Sequence, residues 1–268
     1  MIIQFVNKTE ISRLIEGDKR SMQSTDSLTA LEKLKYNAVS SWIYRTYFIR
    51  RALRTGEPEL RGLSLLTTPG RLALDIGSNK GAYSYLLASM GLETHAFEPQ
   101  PSFYERLRRT APRNLTCHNI ALSDSEAEMD FYLPMKNGRV LNQIATLRDI
   151  SGQGDSKVIR VKACTLDSLK LNNVGFIKID AEGWEQQVLD GARETILRDR
   201  PTLLVEIEEK HTGQDLWSSL RFVEELGYTT HCYHEDKVQP LAAFFDIERH
   251  HRSFGEDRYY NNFIFLPT

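Results

Sequence analysis

Residues 75–81 read Asp-Ile-Gly-Ser-Asn-Lys-Gly, directly after the apolar run Leu72-Ala73-Leu74, and Glu98 closes the next apolar run, His95-Ala96-Phe97. This pattern describes a strand that stops at a tight turn, a helix that starts there, and a carboxylate at the tip of the neighbouring strand. It constrains the chain to an open α/β sheet with a nucleoside-binding crevice. Glycine at 77 and 81 lets backbone approach a ligand with no Cβ in the way. Glu98 stands where it accepts hydrogen bonds from ribose hydroxyls. Dinucleotide enzymes carry Gly-x-Gly-x-x-Gly, which sets backbone amides against a pyrophosphate. Here the first position is Asp75, whose carboxylate repels a pyrophosphate and suits a cationic amino-acid group. The expected cofactor contains a nucleoside, carries a cation and lacks phosphate.

Composition adds bounds. The chain has 268 residues, 41% of them hydrophobic, enough for a sizeable core. A net charge of −2 and a pI near 6.4 give no overall electrostatic drive toward nucleic acid or anionic membrane. Cys117, Cys164 and Cys232 are widely spaced with no Cys-x-x-Cys pair, so they read as small buried hydrophobes in a reducing compartment. No run approaches the ~18 apolar residues of a membrane span. Met1-Ile2-Ile3-Gln4-Phe5 also lacks a basic region followed by an apolar stretch, and a cytoplasmic location is expected.

The chain divides near residue 70, giving an N-terminal helical extension over 1–70 and a catalytic domain over 71–268. Residues 1–30 are polar and weakly patterned, whereas 31–54 read as one amphipathic helix with Leu31, Leu34, Ala38, Trp42, Ile43, Ile49 and Leu53 at near-helical spacing. Its other face interleaves Arg45, Arg50, Arg51 and Arg54 with Tyr44, Tyr47 and Phe48. That helix is expected to pack on the domain with a solvated basic face, or to serve as a lid or docking surface for an anionic acceptor. Beyond it, strands are expected over 71–76, 92–97 and 114–120, with helices over 81–90 and 101–110. Two β-like runs, 128–134 and 157–163, suggest an inserted hairpin. A strand over 174–180 leads to a helix from 184 to 197, and a strand over 201–208 leads to a helix over 214–226. Tyr228–His234 and Asn262–Leu266 read as closing strands. Alternating strand and helix predict a mostly parallel sheet with an antiparallel closing strand and helices on both faces.

In such sheets chemistry gathers at the carboxyl ends of the strands. Those ends carry Asp75 to Gly81, Glu98, Asn119, Asp180 with Glu182, and Glu206 with Glu208. Alternation puts Phe176, Lys178 and Asp180 on one face of their strand, and Leu204, Glu206 and Glu208 on one face of theirs. If the two strands are neighbours, the carboxylates crowd together and raise one another's pKa unless a cation such as Lys178 intervenes.

Five segments in fixed order resemble the FkbM-type methyltransferases: Asp75-Ile76-Gly77-Ser78-Asn79-Lys80-Gly81, Phe97-Glu98-Pro99, Thr165-Leu166-Asp167-Ser168-Leu169, Ile177-Lys178-Ile179-Asp180-Ala181-Glu182-Gly183 and Asn262-Phe263. The likeness runs over roughly 71–267 and leaves out the N-terminal segment. It implies a Rossmann-like class I methyltransferase fold that uses S-adenosylmethionine (SAM) and acts on hydroxyls of sugars, glycolipids or secondary metabolites. On that reading Asp75 receives the methionine ammonium, directly or through water. Gly77, Ser78, Asn79 and Gly81 shape the amino-acid pocket, Glu98 holds the ribose and Asn119 contacts the adenine edge, or forms a turn.

A neutral alcohol, with a pKa near water's ~15.7, needs a base or a metal ion to become a nucleophile. Asp180 is the first candidate, with helix capping as its competing role. Glu206 and His211 are further catalytic candidates. Asp180, Glu206 and Glu208 could ligate a divalent metal. The Glu206–His211 run loosely resembles the metal site of small-RNA 2′-O-methyltransferases but offers one histidine where that site uses more. The acceptor is expected to be a small-molecule or glycan hydroxyl, covered by the 135–156 loop and gripped by Arg249, Arg252 and Arg258. An RNA 2′-O-methyltransferase stays open as an alternative without a long basic stripe to support it. A non-catalytic nucleoside-binding module or a phosphate-cofactor oxidoreductase completes the set.

Overall fold

Strands that are apolar on both faces need cover on both sides, and alternating strands with helices provides it. The computed structural model describes residues 38–268 except 138, 142–144, 151, 153, 213–214, 244, 247–249 and 251–258, with backbone alone for 38, 39, 139, 211 and 212. The first half comprises α1 (Ala38–Thr55), α2 (Glu59–Leu66), β1 (Leu72–Ile76), α3 (Ala82–Ser89), β2 (Thr94–Phe97), α4 (Pro101–Thr110), β3 (Leu115–His118), β4 (Ala121–Leu122), β5 (Ala127–Lys136) and β6 (Arg139–Val140). The second comprises β7 (Ser156–Cys164), β8 (Val174–Ile179), α5 (Glu185–Asp190), α6 (Arg193–Asp199), β9 (Thr202–Glu206), α7 (Glu209–Thr212), α8 (Leu216–Glu224), β10 (Tyr228–His234), β11 (Lys237–Pro240) and β12 (Asn262–Pro267).

The main sheet has the order β3-β2-β1-β8-β9-β12-β10-β11. Strands β3, β2, β1, β8 and β9 are parallel, and β12 runs antiparallel between β9 and β10. This is the sheet expected of a class I methyltransferase. Strand alternation builds the two helix layers. Leu72, Leu74 and Ile76 of β1 join Ile177, Ile179, Leu203 and Val205 against Val188, Ile196 and Leu220 of α5, α6 and α8. Ala73, Phe176, Leu204 and Ile264 face the other way, onto Leu63 of α2 and Leu87 of α3. The same alternation turns Asp75, Lys178 and Glu206 to the α2–α3 side. Helix α1 packs outside this layer, with Tyr44 and Phe48 at the edge of the Tyr85 ring and Arg45 Nη1 donating to the Thr110 carbonyl at 2.5 Å.

Several elements differ from the sequence expectation. The single helix expected from 184 to 197 is two, α5 and α6, broken at Gly191, where a Cβ would lie 1.9 Å from the Ser123 carbonyl oxygen. The Asp167 carboxylate caps the second piece, accepting from the Glu194 and Thr195 amides at 2.8 Å each. That gives the Thr-Leu-Asp-Ser-Leu segment a structural purpose. The inserted hairpin pairs antiparallel from Ala127↔Ala163 to Pro134↔Ser156, and β4 and β6 extend it into a separate four-stranded sheet. Helix α2 and strand β11 were not anticipated. Residues 31–37 of the expected first helix, and Arg249, Arg252 and Arg258, lie outside the described residues. No helix among the described residues is long and apolar enough to cross a membrane.

Candidate functional site

A cleft opens at the carboxyl ends of β1, β2 and β8. Its lining includes Gly77, Asn79, Glu98, Ile120 and Asp180, and a further wall comes from Phe131 of β5 and Leu147 of the connection between β6 and β7. The turn after β1 is held tightly. The Gly77 and Ser78 amides both donate to the Phe97 carbonyl, at 3.0 and 3.1 Å, and the Asp180 amide donates to the Ile76 carbonyl at 3.0 Å. Gly77 has φ +77°, and a Cβ there would sit 1.7 Å from the Asp180 carbonyl oxygen. Only glycine fits where the two strand ends meet.

Glu98 is buried at the rim, with Oε2 accepting from the Asn79 amide at 2.6 Å and Oε1 from the Gln100 amide at 2.8 Å. Each oxygen keeps acceptor capacity for a further donor. Burial pushes the Glu98 pKa up to about 7 against those two amides. The Asn79 side-chain oxygen is buried in the cleft without a hydrogen-bond partner, a group that calls for a ligand donor.

Other expected contacts lie elsewhere. Asp75 is buried and does not line the cleft, and its Oδ2 takes the Ser84 hydroxyl and the Ser84 amide, the latter at 2.8 Å. It therefore ties β1 to α3 from behind the turn. Asn119 spends its side-chain amide on the Glu98 and Pro99 carbonyls at 2.8 and 3.0 Å, which staples that turn, and Ile120 lines the cleft instead. Ser78 is buried, and Gly81 is pressed onto α4, where a Cβ would meet Leu107 Cδ1 at 2.5 Å.

The strand-end carboxylates come together as the alternation rule implies. Burial first raises the pKa values of both Asp180 and Glu206; the charge of Glu182 adds to it for Asp180 and that of Asp180 for Glu206, while Lys178 opposes the rise in both. Lys178 is 1% exposed, with Nζ 2.8 Å from Asn262 Oδ1 and 3.9 Å from Glu206 Oε2. Burial alone would pull its pKa down, but Asp180, Glu57, Glu206 and Glu59 outweigh that and keep it charged. Glu57, from the turn between α1 and α2, accepts from the Tyr83 hydroxyl at 2.6 Å and Asn262 Nδ2 at 3.1 Å. The sequence signalled neither Glu57 nor Asn262 in this network, because both act across long stretches of chain. No side chain caps α5; its first residue, Glu185, instead holds the preceding turn, its Oε1 accepting from the Ala181 and Gly183 amides at 3.1 and 3.0 Å.

Glu208 is joined to Glu206 through Asn261, whose Nδ2 donates to Glu206 Oε1 at 2.6 Å and to Glu208 Oε1 at 3.3 Å, and Glu208 is also ion-paired with Lys210. Among the described residues no three His, Cys, Asp or Glu side chains gather as a metal site. His211 lies in α7, with its side chain outside the described residues.

This density of carboxylates has a consequence for stability. Burial lifts Asp75 to about 6, Glu59 and Glu98 to about 7 and Glu182 to about 8. Unfolded, these groups titrate near ~4. Between ~4 and those values the folded chain binds more protons than the unfolded one, so stability falls as pH rises. The ligand-free protein is expected to melt several degrees higher at pH 5.5 than at pH 8 by scanning calorimetry. A melting temperature that rises with pH across this window contradicts the burial of these groups.

Comparison with known proteins fits this geometry. The family described as "Methyltransferase FkbM domain" matches residues 75–230. The protein named 31-O-demethyl-FK506 methyltransferase FkbM, from Streptomyces tacrolimicus, is 25% identical over 205 residues, covering 64% of this chain and 75% of that one. A solved FkbM methyltransferase from Methylobacillus flagellatus KT is 15% identical with a TM-score of 0.46, and the match covers 96% of this chain but 59% of that one. A TehB-like SAM-dependent methyltransferase from Corynebacterium glutamicum is 14% identical with a TM-score of 0.43, over 86% and 97% of the two chains. The family match starts at Asp75 in the glycine turn, takes in Glu98, Asp180 and Glu206, and spans more than half of the 268 residues, so this chain belongs to the FkbM methyltransferase family.

Proposed function

We propose that the chain is a SAM-dependent O-methyltransferase that methylates a hydroxyl of a small-molecule or glycan acceptor. The observation that carries this reading is Asp180 lining the cleft at the end of β8, with Glu206 at the end of the neighbouring β9 and buried Lys178 3.9 Å from Glu206 Oε2. The Streptomyces tacrolimicus relative is named a 31-O-demethyl-FK506 methyltransferase, which supports transfer to oxygen.

The cleft suits the cofactor chemically. Glu98 offers two carboxylate oxygens to ribose hydroxyls, and the unpartnered Asn79 oxygen accepts one more donor. Asp75 places negative charge beneath the loop that receives the cationic amino-acid end. When bound, SAM supplies an electrophilic methyl group. Asp180 and Glu206 take the proton that the acceptor hydroxyl loses, and Lys178 balances the negative charge left on the pair. Holding the acceptor oxygen in line is worth ~7–11 kcal/mol in well-oriented reactions, so the walls of the cleft matter as much as the base. His211, next to these strand ends in sequence, stands as a second base.

Incubation of the purified protein with methyl-labelled SAM and an extract of its source cells is expected to yield a labelled product whose methyl group survives as an ether. Label recovered on carbon or nitrogen would contradict O-transfer. Complete loss of transfer with a chelator, restored by a divalent ion, would move the activation of the hydroxyl from the carboxyl pair to a metal.

A further inference from the structure

The connection between α1 and α2 reaches into the charges at the strand ends. Glu57 Oε2 accepts from the Tyr83 hydroxyl at 2.6 Å and from Asn262 Nδ2 at 3.1 Å. Both of those side chains also meet the Lys178 ammonium. Asn262 Oδ1 accepts from Lys178 Nζ at 2.8 Å, and the Tyr83 ring centroid lies 5.4 Å from the same nitrogen. Glu206 Oε2 is 3.9 Å from it.

We propose that Glu57 is a positioning residue of the methyl-transfer site, its carboxylate fixing the Asn262 amide so that Asn262 holds the Lys178 ammonium beside Glu206.

An asparagine amide has two orientations related by a half-turn, and its partners choose between them. Asn262 is buried, so the choice falls to Lys178 and Glu57. In one orientation the oxygen meets the ammonium and the NH2 group meets the carboxylate. The half-turn would set NH2 against ammonium and oxygen against carboxylate, and both contacts would repel. Without the Glu57 acceptor, the amide keeps one anchor and carries a buried, unsatisfied donor.

Lysine needs such an anchor, because its ammonium is a point charge on a flexible stem. Lys178 is too deeply buried for bulk water to hold it. Its contact with Glu206 is longer than its hydrogen bond to Asn262. Glu206 is held through its other oxygen by Asn261 Nδ2, and β-sheet register sets Asn262 opposite Glu206. Asn262 therefore governs the separation of the two charges.

Ordinary packing places Glu57. Leu60, Leu63 and Leu66 bury α2 against the sheet, and the Leu60 amide donates to the Glu57 carbonyl at 3.2 Å. Glu57 and Asn262 both lie outside residues 75–230, which match the family. On this account, segments from both ends of the chain complete the site around a lysine between them.

The holding of Lys178 stands independently of catalysis; its effect on the reaction rests on the methyl-transfer reading. Nitrogen-15 correlation spectra of the full chain, tuned to lysine ammonium groups, read the first. The wild type is expected to show a protected ammonium signal that is absent from Lys178→Met. Glu57→Leu and Asn262→Leu should lose it. Glu57→Gln keeps a side-chain oxygen for both donors and should retain it. Initial rates with saturating methyl-labelled SAM and a fixed amount of source-cell extract read the second. Glu57→Leu should transfer about tenfold more slowly, the loss of one hydrogen bond, with the KM for SAM changed less than about twofold. Glu57→Gln should restore the rate to within about threefold of the wild type. The Glu57→Leu/Asn262→Leu double variant should be no slower than Asn262→Leu, because the two residues act in series. If Glu57→Leu melts below the assay temperature, Glu57→Ala takes its place with the same expected losses.

A wild-type spectrum without a protected lysine signal overturns the proposal, as does a signal that persists in Glu57→Leu. Loss of the signal with an undiminished rate removes Glu57 from the reaction. Losses that multiply in the double variant, or a Glu57→Gln rate as low as that of Glu57→Leu, equally contradict it. If the wild type yields no labelled product, the methyl-transfer reading fails while the spectra still decide whether Glu57 holds Lys178.

Discussion

Asp180→Asn is expected to lower methyl transfer by about 10²–10⁴-fold, the usual contribution of a positioned base. The change keeps the shape of the side chain and its place at the end of β8, but removes the ability to take a proton. It also removes one of two like charges that burial and proximity already disfavour. The variant should therefore melt no lower than the wild type and still bind S-adenosylhomocysteine. Initial rates with labelled SAM, read beside a melting curve, separate the chemistry from folding. Near-normal transfer in a well-folded variant would remove Asp180 from the mechanism and leave Glu206 or His211 as the base.

Gly77→Ala should damage both fold and cofactor binding. The new Cβ would need the position of the Asp180 carbonyl oxygen, 1.7 Å away, at a φ of +77° that alanine rarely adopts. Neither backbone is free to retreat, because Gly77 is bonded to Phe97 and Asp180 to Ile76. The expected cost is about 3–5 kcal/mol, at the upper end for single substitutions, and a fall in melting temperature of roughly 6–15 °C. Gly70→Ala provides the contrast. It has the same φ of +77° but nothing within 4 Å of its Cβ. Only the left-handed penalty of about 1 kcal/mol applies there. Equal melting temperatures for the two variants would show that the crossing of the strand ends is looser than described.

The parts of the fold legible in the sequence were those written in local periodicity. Strand β1, the glycine turn and Glu98 stand together because apolar runs, glycine spacing and a strand-end acid are all short-range signals. The pairing of Asp180 with Glu206 followed from the period of two once β8 and β9 were taken as neighbours, which their register confirms. Long-range packing was not legible. Gly62 sits inside α2 against its helix propensity because a Cβ there would meet the Tyr233 ring at 2.1 Å, a residue far along the chain. Gly191 breaks the helix after β8 to let Ser123 pass, a contact no window of sequence contains. In the site, Gly77, Asn79 and Glu98 line the cleft, whereas Ser78 and Gly81 do not. Asp75 and Asn119 are turned into the scaffold, where Ser84 and the carbonyls at 98 and 99 satisfy them. A residue type at a strand end gives its neighbourhood, but its partners decide whether it faces a ligand or the protein.

The central claim is that this cleft holds a cationic nucleoside cofactor through Glu98. Calorimetric titration of the wild type and of Glu98→Ala with S-adenosylhomocysteine, and of the wild type with NAD, tests it most directly. The predicted result is binding of S-adenosylhomocysteine and not NAD, weakened about 100-fold in Glu98→Ala by the loss of two hydrogen bonds to a charged acceptor. Unchanged affinity in the variant, or NAD binding as tightly as S-adenosylhomocysteine, would contradict it.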